Sequence, residues 1–144
     1  MMDRFSENKI ILIIRKTRLD DLISRFNTEA QARFYIEHLG SDFSEYVDED
    51  RKYKTAVKEA GNILSQLGRL QVLDRLYVPN FIFGREDIIV VLGQDGLVAN
   101  VLKYLDNQPA VGLFLHKPGH IYHRLVDGML GIQRVRQLQH FHPA

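Results

Sequence analysis

The chain has no cysteine among its 144 residues. Disulfides, thiolate metal sites and a cysteine nucleophile are therefore excluded. Long apolar runs are missing too. Ile10–Ile14 falls far short of the roughly 18 residues that a membrane-spanning helix needs. It also lacks the length of a signal-peptide core and a cleavage site. No excess of one charge sign is present: 19 basic residues stand against 18 acidic ones, for a net charge of +1. That balance gives no electrostatic argument for nucleic acid or an anionic membrane as partner. No internal repeat suggests a solenoid. What remains is a globular composition, 45% hydrophobic and 26% charged, at a length that suits one domain. The cytoplasm is the default expectation, although a cysteine-free chain suits any compartment.

As far as Leu113 the pattern alternates between strand and helix. Lys9–Ile14 is a continuous apolar run, as expected for a central parallel strand buried on both faces. Arg18–Phe26 reads as a short helix or an exposed connection. Thr28 is a helix N-cap, with Gln31 three residues later to complete a capping box. Ala32, Tyr35, Ile36 and Leu39 form a helical stripe that Gly40 ends. Phe43–Leu67 reads as another helix, with Tyr46, Tyr53, Val57, Ala60, Ile63, Leu64 and Leu67 on one face and a solvated middle over Asp48–Lys54. Gly68 stops it. Leu70–Leu73 and Asp87–Leu92 read as strands, separated by the breaker Val78-Pro79-Asn80 and an apolar knot at Phe81–Phe83. This order predicts an α/β fold with a Rossmann-like three-layer parallel sheet.

The segment that speaks to function is Glu86–Leu113. A buried-type strand runs into Gly93-Gln94-Asp95-Gly96, a helix is expected over Val98–Leu105, and Ala110–Leu113 is a further strand. Loops at the carboxyl ends of strands are where open α/β sheets hold ligands. The glycines permit positive φ and close backbone approach, and the following helix N-terminus favours phosphate. An Asp-Gly pair is equally an ordinary turn dipeptide.

The segment Asp87–Leu113 resembles the NAD kinases and the related diacylglycerol kinases and phosphofructokinases. These carry Gly-Gly-Asp-Gly-Thr or Ser after a hydrophobic strand, where this chain has Gly93-Gln94-Asp95-Gly96-Leu97. The strand with Val111-Gly112-Leu113 is similar to a second element of that family. The resemblance looks closest to a divergent ATP-NAD kinase-like group with Gly-Gln-Asp-Gly. It implies the N-terminal half of an NAD kinase-like fold, with nucleotides as substrates: ATP as donor, Mg²⁺ as cofactor and NAD as acceptor. It also implies Asp95 as the catalytic base and a homo-oligomer, and it places the phosphates against Gly93, Gln94, Gly96 and Leu97. Gln94 departs from the second glycine and either crowds or hydrogen-bonds a phosphate. Leu97 removes the family's hydroxyl. Asn100, one turn on, is either a polar contact or a solvent-facing residue. Arg15 and Lys16, at the end of the first strand, share the loop's sheet edge. They are candidate phosphate contacts or simply a solvated strand end. Asp74 and Arg75 at the second strand's end read as an ion pair or an exposed turn.

Composition changes after Leu113. Residues 114–144 hold five of the six histidines, and Asp127 is their only acidic residue. Ile121–Met129 and Ile132–Leu138 read as short helices. The family resemblance implies a second, β-rich domain here with an Asn-Glu pair for the NAD ribose, and no such pair follows Leu113. The organisation expected is an α/β nucleotide-binding domain over 1–113 and an atypical His-rich basic tail over 114–144. The second domain is truncated or replaced. His120 with His123, and His140 with His142, have chelating spacings, but no His-Glu-x-x-His pattern accompanies them, and incidental composition is the reading adopted. Two functions follow. One is an NAD kinase-like phosphotransferase, incomplete and weak alone. The other is a non-catalytic nucleotide-binding or self-associating remnant.

Overall fold

The structure is a computed structural model. It describes residues 9–117, 120–127 and 131–141. The side chains of Asp95 and of residues 115 onward lie outside that description. The chain forms two compact units, one of residues 1–15 with 56–144 and one of residues 16–55.

The larger unit is built on one sheet. Its strands are β1 (Lys9–Ile14), β2 (Arg69–Asp74), β3 (Ile88–Leu92), β4 (Ala110–Lys117), β5 (His120–Asp127) and β6 (Gly131–Phe141). They lie in the order β2-β1-β3-β4-β5-β6. The first four run parallel, as expected, and β5 and β6 are antiparallel to their neighbours. Ile11, Leu12, Ile13, Ile89, Val91 and Leu92 are almost wholly buried. A strand covered on both faces has no need of polar alternation, and hence the unbroken apolar runs.

Ile11, Ile13, Ile89, Val91 and Ala110 share one face. Against them pack Leu97, Val98, Val101 and Leu102 of a helix over Asp95–Leu102, called α4, with Val78, Phe81 and Phe83. Ile10, Leu12, Val90 and Leu92 are buried on the other face. There the C-terminal half of α3 (Phe43–Leu67) approaches closely enough that a Cβ on Gly61 would lie 3.7 Å from Leu70. Helix, sheet and helix make the three layers of a Rossmann-like α/β fold. β2 and β3 are joined without an α-helix, through a 3₁₀ turn at Arg75–Asn80. β3 begins at Ile88 because Asp87 turns its carboxylate back to accept the Gly84 N–H at 2.7 Å.

The smaller unit holds α1 (Arg18–Phe26), α2 (Glu29–His38) and the first part of α3. Leu19, Leu22, Ala32, Ile36 and Phe43 form its core. Thr28 caps α2 through the Gln31 N–H, and Gly40, at φ 84°, ends it. In α3 the most buried side chains are Phe43, Tyr53, Ala56 and Ala60, while Leu67 is exposed. The apolar face is thus centred on small alanines, not on the larger residues expected at its end. The middle of α3 is not simply solvated: Tyr53 is buried, and Asp50 accepts from the Thr17 hydroxyl at 2.6 Å.

The tail differs from expectation. The two segments read as helices are the strands β5 and β6. The free edge of β4 offers backbone partners to the β-branched and aromatic residues Ile121, Tyr122 and Val126, and that pairing outweighs local helical pattern. The boundary placed after Leu113 falls inside β4, which continues to Lys117.

Candidate functional site

The sheet order reverses between β1 and β3. β1 sends its chain to β2 on one side, and β2 then crosses past β1 to β3 on the other. In open α/β sheets the crevice outside the carboxyl ends at such a point is the habitual ligand position. β1 and β3 run parallel with Ile13 beside Val91, so Arg15 leaves β1 at the sheet edge where Gly93 leaves β3. Arg15 is half-buried. Lys16 is exposed and opens the smaller unit.

The turn after β3 is fixed by close packing. The Gly93 N–H donates to the Leu113 carbonyl at 3.0 Å, tying the turn to β4. A Cβ at Gly93 would lie 2.8 Å from Leu97 Cδ2. The glycine is favoured by this approach and not by a positive φ, which neither Gly93 nor Gly96 adopts. Gln94 is the helix N-cap in extended conformation, φ −109° and ψ 168°, and its side chain makes no capping hydrogen bond. Its carbonyl accepts from the N–H groups of Leu97 and Val98 at 3.0 and 3.1 Å.

α4 starts at Asp95, three residues earlier than expected, so Asp95 and Gly96 form its first turn and are not loop residues. This brings the carboxylate-bearing residue to the positive end of the helix dipole. The side chain of Asp95, the expected catalytic group, lies outside the described residues. Among the described residues nothing stands within 4 Å of where a Cβ on Gly96 would lie. Leu97 contributes only backbone to the turn, since its side chain is buried in the core beside Val98 and Val101. Gln94 and Asn100 are exposed, with Asn100 one turn beyond Gly96 on the same side of the helix. A Cβ at Gly112 would meet the Phe114 ring at 2.7 Å and Val98 at 3.4 Å, so this glycine lets β4 and α4 approach.

No family model, curated protein or solved structure matches this chain.

Asp74, at the end of β2, accepts from the Leu76 N–H at 3.0 Å and so caps the 3₁₀ turn. Among the described residues no three His, Asp or Glu side chains come together as a metal cluster. The side chains of the tail histidines lie outside the described residues. The segment holding His120 and His123 is extended, so the helical i, i+3 juxtaposition does not arise.

A polar network in the smaller unit was not anticipated from the sequence. Thr17 caps α1 in a reciprocal capping box with Asp20. Lys54 bridges Asp20 at 2.8 Å and Asp50 at 2.9 Å. Burial works to raise the Asp20 pKa, but hydrogen bonds from Lys54 and the Thr17 N–H outweigh it and hold the carboxyl below the usual range. The Asp20 carboxylate in turn raises the Lys54 pKa, against the effect of burial and with help from Asp50. The Thr-x-x-Asp spacing carries the capping signal. The 33-residue separation from Asp50 leaves no local trace.

Proposed function

We propose that the turn between β3 and α4 binds the phosphates of a nucleotide, in the manner of an NAD kinase-like phosphotransferase. The observation that carries this reading is the open position at Gly96 in the first turn of a helix that begins beside the β1/β3 switch point. A helix N-terminus presents backbone N–H groups and a partial positive charge to a phosphate. An absent side chain at Gly96 leaves room for the phosphate to reach them. Gln94, which caps nothing, is available to donate its side-chain amide to a phosphate oxygen.

In the phosphotransferase reading ATP is the donor and the 2′-hydroxyl of NAD the acceptor. Asp95 accepts the hydroxyl proton as that oxygen attacks the γ-phosphorus. The bond from the γ-phosphorus to the bridging oxygen breaks, and ADP leaves with its electron pair. The products are NADP and ADP. In this reading Arg15, which leaves β1 at the same sheet edge, is the candidate to meet the developing charge. Mg²⁺ would be carried mainly by phosphate oxygens and water, with Asp95 as the one carboxylate of the turn, and it would neutralise the phosphates.

Titration calorimetry with Mg·ATP, together with an assay of NADP formation from NAD, tests the reading. Binding with NADP formation that Asp95→Asn abolishes supports it. Activity that survives Asp95→Asn removes the role of Asp95, and absence of any ATP binding removes the proposal. A second reading, a nucleotide-binding module without turnover, is favoured by one observation. After β4 the described strands extend the same sheet instead of forming a separate layer that would hold an acceptor opposite Asp95. ATP binding with no NADP formation supports this alternative.

A further inference from the structure

We infer that residues 75–87, between β2 and β3, form a strap that opens as one unit while the sheet stays folded, and that Gln108 is its latch. A crossover between parallel strands is usually an α-helix. Here it is the 3₁₀ turn Arg75–Asn80, followed by residues 81–87, which belong to no helix or strand.

The strap is anchored to the core by a few side chains. Val78, Phe81 and Phe83 pack on the face of the sheet that α4 also covers. The rings of Phe81 and Phe83 meet edge to face at 4.9 Å. Lys9 Nζ, at the start of β1, lies 5.6 Å from the Phe81 ring centre. Between these anchors the chain faces water: Tyr77 is 63% exposed and Ile82 90%. The amide bonds of the strap are local. The Phe81 N–H donates to the Val78 carbonyl, the Gly84 N–H to Asp87 Oδ2, and the Asp87 N–H to the Gly84 carbonyl. None of these three bonds uses a neighbouring strand, so the strap can lift without parting β1 from β3. Segments with few buried contacts and solvent-facing backbone are the ones that open below the global unfolding energy.

Gln108 closes the strap. It stands just before β4 and is only 5% exposed. Its Oε1 accepts the Asp106 N–H at 2.7 Å, which orients the side-chain amide. Its Nε2 then donates to the Gly84 carbonyl at 3.1 Å, across 24 residues of chain. Closure withdraws this amide from water, and the Gly84 carbonyl is the acceptor that satisfies it. Asp87 holds the Gly84 N–H, so both backbone polar groups of Gly84 are bound in the closed state. Lifting the strap breaks the bond from Gln108 to Gly84 and leaves the bond from Asp106 to Gln108 in place.

Native-state hydrogen exchange of the full chain in low urea, read residue by residue, tests the inference. The Phe81, Gly84 and Asp87 amides should share one opening free energy and one shallow urea dependence. Both should lie below those of Ile89–Val91 in β3. Gln108→Met keeps the length of the side chain and removes its donor. It should speed exchange of the three strap amides together by about fivefold, the worth of one hydrogen bond. The lost Asp106 bond does not enter that rate, because it is intact in both the closed and the open state. Val90→Ala removes buried volume from the opposite face of the sheet. It should speed exchange in β3 and leave the strap amides at their wild-type rates, since the sheet is folded when the strap opens. Wild-type strap amides with the opening energy and urea dependence of β3 would overturn the strap as a unit, as would strap amides that accelerate in Val90→Ala. Strap rates unchanged in Gln108→Met would overturn the latch.

Discussion

A methyl group at Gly93 meets Leu97 Cδ2 at 2.8 Å, one at Gly112 meets the Phe114 ring at 2.7 Å, and one at Gly96 meets nothing among the described residues. Gly93→Ala must therefore displace a leucine end packed in the core, an overpacking cost of about 1 kcal/mol or somewhat more. Gly112→Ala should cost a similar amount, and urea unfolding reads both. Gly96→Ala should act in the opposite sense. The position is helical, without positive φ, and alanine there gains about 0.4–1 kcal/mol by restricting the unfolded chain. If phosphate is bound against this turn, the same methyl group obstructs it. The expected result is a more stable protein with ATP affinity lowered about tenfold or more, roughly 1.4 kcal/mol. Raised stability with unchanged affinity would separate Gly96 from the site. The residue types of this turn were legible in the sequence, but the reason for each was not. Gly93 and Gly112 are set by what packs over them, Leu97 four residues on and Phe114 two residues on, and that packing depends on how each side chain is turned in the fold.

At the scale of elements, α1 was one of two alternatives for its segment, while the limits of α2 and α3 matched the caps, stripes and stops of the sequence. α4 did not, because its first turn contains the glycine that suggests a loop. Its early start comes from Leu97, which looks like a replacement for a phosphate-touching hydroxyl but serves as a core anchor. The start of α1 depends on Thr17, fully buried, whose hydroxyl accepts from the Asp20 N–H at 3.1 Å and donates to Asp50. Thr17→Ala should cost about 2 kcal/mol from the lost cap and the lost hydrogen bond to Asp50, and Thr17→Ser should restore most of it. The network has a pH signature. The depressed Asp20 pKa contributes stability that is fully present above the ordinary carboxylate range and is lost as pH falls through the depressed value. The raised Lys54 pKa contributes stability that is present below the ordinary lysine range and is lost as pH rises through the raised value. Both groups are substantially solvated, so each contribution is below about 1 kcal/mol. Lys54→Met should flatten both limbs of a plot of urea midpoint against pH, and a profile identical to wild type would show that the bridge is energetically silent.

Over the whole molecule, the parallel core follows from a few apolar runs. Lys9–Ile14 and Ile88–Leu92 are buried on both faces, and only a central position between two helical layers provides that. The strand order, and with it the switch point beside Gly93, is a property of tertiary pairing, and nothing in either run encodes its neighbour. The tail shows the same limit more sharply. β5 carries few local β signals beyond Ile121, Tyr122 and Val126, and it is the edge of β4 that offers its backbone groups partners. This dependence has a consequence. Without residues 118–144, β4 would keep β3 on one side and present bare N–H and C=O groups on the other, along Ala110–Lys117. The full sheet ends at β6 on that side, so truncation moves the bare edge inward from β6 to β4. The shortened chain is expected to unfold at lower urea than the full chain, because β4 loses the strand that its backbone groups pair with. A shortened chain with the full chain's urea midpoint would mean that β4 does not rely on β5 for its place in the sheet.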